Sequence, residues 1–245
     1  MEILSLILDL PLHPGNIPAF RAAVVELVGR EQLLFHNHES GEGDTSHYRR
    51  DYPLIQYRVH RGDASITGLG EGAAAIRQQL LPRLPAQWSF AERRYKVSNY
   101  YINTREYNWS LHAEPKTYGL YQWLALSHEN YDLWKSAEDE ESRRAVLCRA
   151  LTGHLRLFAK AVNFPRLEDV NGEVLQVHRV KRISWHDTNL IAFDALINSN
   201  LGLPAHIGLG RIPAFGFGEL LPANVYEKWI RKRKKAHKTP ADAKA

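Results

Sequence analysis

The chain has 245 residues, 44% hydrophobic, 24% charged and 10% aromatic, enough for one large domain or two small ones with real cores; this excludes a disordered, collagen-like or repeat-dominated polymer. A single cysteine, Cys148, excludes an internal disulfide framework and a cysteine-rich zinc site. The net charge of +5 is unevenly placed, because residues 226–245 hold eight Lys/Arg against two acids and leave residues 1–225 at −1. The pI of 9.3 thus describes a polycationic tail suited to RNA, DNA or another anionic surface, and the body is nearly neutral.

The apolar stretch from Ile3 to Leu12 is broken by Asp9 and Pro11. It falls far short of the roughly 20 residues that cross a bilayer, so a cytoplasmic protein without membrane partners is expected. Met1 to Asp9 reads as a buried strand, and Pro14-Gly15-Asn16 as a turn into a helix whose Ile17, Phe20, Val24, Val25 and Val28 share one face up to Gly29. Leu54 to Val59 and Ala64 to Ile66 flank Arg61-Gly62-Asp63 as a hairpin. Glu71 to Leu81 is helical until Pro82 and Pro85 stop it, and the aromatic-rich Trp88 to Ile102 predicts long strand structure. This order is the ferredoxin-like layout, an antiparallel sheet with both helices on one face.

A second unit starts with a strand over Tyr118 to Leu126, then helical sequence from Glu129 to Phe164 broken near Ser136. Acids Glu138 to Glu141 suit the positive end of a helix whose core candidates are Val146, Leu147, Leu151, Leu155 and Phe158. Val174 to Trp185 and Leu190 to Ile197 pair around His186-Asp187, and no second helix is visible before the short exit Glu219-Leu220-Leu221. The fold class expected is α+β, two tandem ferredoxin-like (RRM-like) domains at 1–105 and 106–225 with a C-terminal glycine-rich loop, followed by a basic tail at 226–245.

That loop runs from Gly208 to Gly218 as Gly-Leu-Gly-Arg-Ile-Pro-Ala-Phe-Gly-Phe-Gly. It is neither a Walker loop, lacking G-K-[ST], nor a G-x-G-x-x-G dinucleotide turn. Its glycines would let backbone N–H groups approach an anionic polymer, or would simply turn a tight corner between strands. The loop resembles that of the CRISPR-associated endoribonucleases of the RAMP superfamily, which cut precursor CRISPR RNA within its repeats. The resemblance extends to Phe35-His36-Asn37-His38, Tyr52-Pro53-Leu54-Ile55-Gln56-Tyr57, Ile66-Thr67-Gly68-Leu69-Gly70-Glu71-Gly72 and Ile191-Ala192-Phe193-Asp194, and covers the chain to about Leu221. The paired histidines are similar to those of the subtype in which two nearby histidines serve catalysis. The long basic tail departs from the pattern, and Arg30 stands nearest to the family's supporting lysine.

The resemblance implies a metal-independent endoribonuclease with no cofactor, in which the 2′-hydroxyl attacks the adjacent phosphate to leave a 2′,3′-cyclic phosphate and a 5′-hydroxyl. Such a reaction needs a base, an acid and cationic help, and His36 and His38 supply imidazoles that work near neutral pH, in either assignment. A metal site using the same pair with Glu39, Asp44 or His47 lacks the further spaced ligands that common metallophosphoesterases carry. RNA contacts are expected from Gly208, Gly210, Arg211, Gly216 and Gly218, from Arg179, Lys181 and Arg182, and from Arg49 and Arg50, with Arg58 and Arg61, around the histidines. Tyr95, Tyr100, Tyr101 and Tyr107 either stack bases or fill a core. The expected partners are the precursor CRISPR RNA repeat and other CRISPR effector subunits, with the chain a monomer or homodimer. The alternative is a non-catalytic RAMP-type RNA-binding subunit of a CRISPR ribonucleoprotein.

Overall fold

The computed structural model describes residues 1–36, 52–185 and 188–237. The chain divides into two compact units: unit 1 comprises Met1–Trp109, Leu157–Leu167 and Ile212–Gly216, and unit 2 comprises Ser110–Arg156, Glu168–Arg211 and the residues from Phe217 onward.

Unit 1 is built on strand β1 (Glu2–Pro11), where Leu4, Leu6, Leu8 and Leu10 alternate into a dry core. Helix α1 (Ile17–Val28) follows a short 3₁₀ turn and places Phe20 and Val24 against the leucines. Gly29 ends it at φ +102, a backbone region that L side chains rarely adopt. A single helical turn, α2 (Leu33–His36), precedes strands β2 (Ile55–His60) and β3 (Asp63–Leu69). Both turn residues between them, Arg61 and Gly62, have positive φ, which matches the right-handed twist of a two-residue hairpin. Helix α3 (Glu71–Ala75) continues through a π turn and ends in a 3₁₀ turn at Leu81–Arg83, where Pro82 cannot donate to the ladder. It reaches the sheet because Gly68 and Gly72 are bare: a Cβ on Gly68 would sit 2.6 Å from the Gly72 backbone, and one on Gly72 would sit 2.3 Å from the Leu54 carbonyl oxygen.

The expected long strand over Trp88 to Ile102 is interrupted. Strands β4 (Gln87–Phe90) and β5 (Arg93–Lys96) form a separate hairpin, turned by Ala91 and Glu92 at positive φ, and β6 (Tyr100–Glu106) then joins the main sheet. Neither glycine nor proline marks that turn, so its signal is hidden under the high strand propensity of the flanking aromatics. The main sheet has the order β2-β3-β1-β6, fully antiparallel, as a ferredoxin-like unit requires.

Unit 2 repeats the plan. Strand β7 (Leu111–Trp123) leads to α4 (His128–Ser136), whose first turn is capped by Ser127 Oγ accepting from the Asn130 N–H at 3.2 Å. Helix α5 (Glu140–Ala161) is preceded by Asp139, which accepts the Ser142 N–H at 2.7 Å; that bond lowers the Asp139 pKa and shows the acid run acting as a cap. The five core candidates of α5, Val146 through Phe158, are all buried. Strands β8 (Gly172–Trp185) and β9 (Thr188–Leu201) form a long hairpin whose tip, His186-Asp187, lies outside the described residues. With β10 (Glu219–Pro222) the sheet order is β10-β7-β9-β8, the same arrangement as in unit 1. Between β9 and β10 the expected absence of a second α-helix holds, and only a 3₁₀ turn at Pro213–Phe215 interrupts the glycine-rich segment.

The expected tail opens as structure. Residues Ala223–His237 form helix α6, and Tyr226 is fully buried. A Cβ on Gly119 of β7 would lie 2.0 Å from Tyr226 Cγ, so glycine at 119 makes the space for this ring. No described helix is long and apolar enough to cross a membrane.

Candidate active site

His36 ends α2, and three contacts within unit 1 hold that turn. Phe35 is buried and its carbonyl accepts from the Tyr57 hydroxyl at 3.2 Å, the His36 carbonyl accepts from the Arg21 guanidinium, and the His36 ring bonds through Nε2 to the Arg30 carbonyl. A carbonyl can only accept, so Nε2 is the donor in this bond and carries a proton. Arg21 is itself seated over the Phe215 ring at 4.8 Å. Arg30 presents its exposed side chain to Glu26 at 3.5 Å, so its structural service to His36 comes from its backbone.

Residues 37–51 lie outside the described residues, and with them His38, Glu39, Asp44, His47, Arg49 and Arg50. The chain returns at Tyr52, where a buried relay fixes the backbone. Gln56 donates to the Tyr52 phenol oxygen at 2.7 Å and to the Pro53 carbonyl at 3.3 Å, while its own oxygen accepts from Arg58 at 2.9 Å. Burial drives the Tyr52 phenol well above its usual pKa, against the opposing effects of Gln56 and Arg58, so it stays neutral. Both stems, through Leu34 and Tyr52, line a cavity of about 560 Å³ in unit 1 whose wall also includes Trp109 and Lys160. Arg58, expected among the cations around the histidines, is buried and donates to Gln56; Arg21 and Gln56 were not singled out as site residues. Arg21 shares the helix face of Ile17, Phe20 and Val24, whereas Gln56 and Arg58 alternate with the core residues Ile55 and Tyr57, so strand period gave no sign of their burial.

The glycine-rich loop is largely buried. A Cβ on Gly210 would sit 2.6 Å from Trp123 Cδ1, and one on Gly218 would sit 1.7 Å from the Leu209 carbonyl oxygen; both residues have positive φ. Protein packing alone therefore demands glycine at 210 and 218. Gly208 is buried in a bridge to Glu219, and Gly216, at φ +84 and only half-buried, ends the 3₁₀ turn. Arg211 is exposed, yet its guanidinium donates to the Leu126 carbonyl at 2.8 Å, fixing its direction. Behind the loop, Trp123 donates to His154 Nδ1 at 3.3 Å. Burial, helped by the Arg211 charge, pushes the His154 pKa down to about 4 and keeps that ring neutral.

Arg179, Lys181 and Arg182 lie on β8, an edge strand of unit 2, with Lys181 and Arg182 exposed and Arg179 half-buried opposite Asp194. Of the tyrosines weighed for stacking, Tyr95 is committed to Phe90 at 4.6 Å and Tyr107 to Trp109 at 4.5 Å, whereas Tyr100 and Tyr101 are exposed on β6. Among the described residues no three His, Cys, Asp or Glu side chains gather as metal ligands.

Two antiparallel sheets of one strand order, the second closed by a glycine-rich segment, define a tandem ferredoxin-like protein. The Cas6b N-terminal domain matches residues 1–108 and the Cas6b C-terminal domain residues 110–223. The chain belongs to the Cas6b family. Among solved structures, a Cas6b crystal structure superposes with a TM-score of 0.78 at 17% identity, covering 91% of this chain and all of the other. A second, described as the CRISPR RNA processing endoribonuclease Cas6b, gives 0.66 at 17% identity over 90% of this chain and 99% of that one. Csf5, a type IV Cas6 crRNA endonuclease, gives 0.52 at 15% identity over 90% and 98%. In sequence, 99 residues are 24% identical to the uncharacterized protein MJ0978 of Methanocaldococcus jannaschii, a stretch spanning 40% of this chain and 66% of that relative.

Proposed function

We propose that this protein is an endoribonuclease that cuts precursor CRISPR RNA within its repeats, without a metal ion, by attack of the substrate's own 2′-hydroxyl. Membership of the Cas6b family supports RNA processing as the activity. The observation that supports the mechanism is the pinned His36: Arg21 holds its backbone carbonyl and the Arg30 carbonyl holds its ring, so the imidazole is fixed in one orientation.

In this reading one imidazole of the His36 and His38 pair takes the proton of the 2′-hydroxyl. The resulting oxygen attacks the neighbouring phosphorus, a pentacoordinate phosphorane forms, and the 5′-oxygen departs with a proton given by the other. The P–O5′ bond breaks as the 2′-O–P bond forms, leaving a 2′,3′-cyclic phosphate and a 5′-hydroxyl. The unit 1 cavity lined by Leu34 and Tyr52 offers room for a nucleotide. Arg179, Lys181, Arg182 and Arg211, with Arg49 and Arg50, supply cationic contacts to the RNA backbone. The loop glycines are assigned to shaping the corner that presents Arg211 and Gly216.

Repeat RNA should be cut to completion in excess chelator, and a single 2′-deoxy substitution at the scissile nucleotide should abolish the cut. Cleavage that needs an added divalent ion, or that survives the 2′-deoxy change, contradicts this mechanism. Tight binding of the repeat with no cleavage under any condition would favour the non-catalytic subunit.

A further inference from the structure

Phe35 and His36 precede the sequence 37–51 that holds His38, and Tyr52 and Pro53 follow it. Both ends are gripped by β2. Tyr57 and Gln56 are neighbours on that strand, so their side chains leave it on opposite faces. Tyr57 belongs to the core, edge-on to Phe20 at 6.1 Å, and its hydroxyl donates to the Phe35 carbonyl at 3.2 Å. Gln56, equally buried, donates to the Tyr52 phenol oxygen at 2.7 Å and to the Pro53 carbonyl at 3.3 Å. One face of the strand thus serves the first end, and the other face serves the second.

The support behind these grips is stiff. Gln56, Tyr57 and Arg58 pair with Thr67, Ile66 and Ser65 of β3 in unbroken register, and all six residues are buried. The Arg58 guanidinium, which can only donate, holds the Gln56 side-chain oxygen at 2.9 Å and so leaves the amide N–H groups aimed at Tyr52 and Pro53. Leu54 adds a third hold on that end, its carbonyl accepting the Leu69 N–H at 2.9 Å. Burial raises the Tyr57 phenol far above its usual pKa, so it stays a neutral donor wherever an imidazole titrates. A methionine at 56 would reach as far and bury as readily. What the amide adds is direction.

We propose that Gln56 and Tyr57 are positioning residues of the cleavage reaction, holding the two ends of the histidine-bearing sequence in one frame built on β2. This rests on the reading above that His36 and His38 do the chemistry, and it names what sets their geometry. An acid and a base must meet one phosphodiester together, and a misplacement of about 1 Å can cost about 10²-fold in rate. His36 directly follows the carbonyl that Tyr57 holds, and His38 lies two residues further on. Neither holder has to touch RNA to govern the rate. Arg58, a cation that sequence offers to phosphates, is spent inside the frame as the support of the Gln56 amide.

The test is single-turnover cleavage of repeat RNA by the full chain, with affinity measured separately. Tyr57→Phe removes one oxygen and keeps the ring beside Phe20, while Gln56→Met removes the donors and keeps the length. Each should cut about 10-fold more slowly at saturating RNA, with affinity within about twofold of wild type. In a His36→Ala background Tyr57→Phe should cost less than about twofold, because a holder loses its effect once the group it positions is gone. Combining Tyr57→Phe with Gln56→Met should fall well short of the roughly 100-fold product of independent effects, since release of either end loosens the same frame. Should Gln56→Met melt early, Gln56→Glu, which keeps an acceptor for Arg58 and loses the N–H donors, takes its place. Rates within about twofold of wild type, a loss that falls on affinity, the same 10-fold loss repeated in the His36→Ala background, or a double variant that reaches the full product each overturns the proposal. If the wild-type protein does not cut repeat RNA, or His36→Ala cuts as fast as wild type, the functional reading fails first. If both behave as expected while Tyr57→Phe and the Gln56 variants match wild type, only this inference fails.

Discussion

The two units share a strand order and differ in how the second crossover is made. In unit 1, α3 closes the layout through the tight Gly68–Gly72 approach, and the histidines proposed for catalysis fall at the end of α2 and in the sequence that follows it. In unit 2 the connection from β9 to β10 has no α-helix; buried glycines at positive φ fill the corner, and the added α6 closes the remaining sheet face. The comparison teaches that one sheet topology leaves two kinds of freedom. Unit 1 keeps a regular frame and spends an insertion on titratable side chains, while unit 2 gives up a regular element and gains a cationic surface.

The largest expected effect tests the corner. Gly218→Val adds a branched side chain where even a Cβ would lie 1.7 Å from the Leu209 carbonyl oxygen, at φ +65. Overpacking and backbone strain together should destabilise by about 3–5 kcal/mol, read as a fall in melting temperature. Near-normal melting would show that the connection yields, and that the contrast with unit 1 is one of sequence only.

A somewhat smaller effect sharpens the same contrast through pH. His154 lies behind the corner, where burial lowers its pKa to about 4 from the usual 6.5. The unfolded chain therefore binds the proton more readily, so this group's stabilisation is complete above pH 6.5 and is lost as pH falls toward 4. The shift corresponds to about 3 kcal/mol. His154→Asn should flatten the dependence of unfolding free energy on pH between 7 and 4 relative to wild type. Parallel curves for the two proteins would show that the ring is hydrated and that the corner is looser than described.

Legibility in the sequence followed the strength of periodic signals. β1, α1 and the β2–β3 hairpin were legible because apolar alternation, helical spacing and Arg61-Gly62 all agree with the observed elements. The β4–β5 hairpin was not, because Ala91 and Glu92 take positive φ without any residue that advertises it. α6 was obscured by composition. Its Tyr226, Trp229, Ile230 and Arg233 do recur at helical steps, but six cations in fifteen residues read as a solvated tail until Gly119 is seen to make room for Tyr226. The site divides in the same way. His36 was legible as a candidate imidazole, whereas its partners Arg21 and the Arg30 carbonyl depend on how α1 and α2 pack, and no local pattern encodes that.

The central claim, that unit 1 supplies the acid and the base, is tested most directly by single-turnover cleavage of repeat RNA by His36→Ala and His38→Ala across pH. Each variant should be slower by about 10²-fold or more with repeat affinity within a few-fold of wild type, and each should lose one limb of the bell-shaped wild-type profile. A double variant that still cuts at close to the wild-type rate, with the bell intact, would contradict the account and move the chemistry away from these histidines.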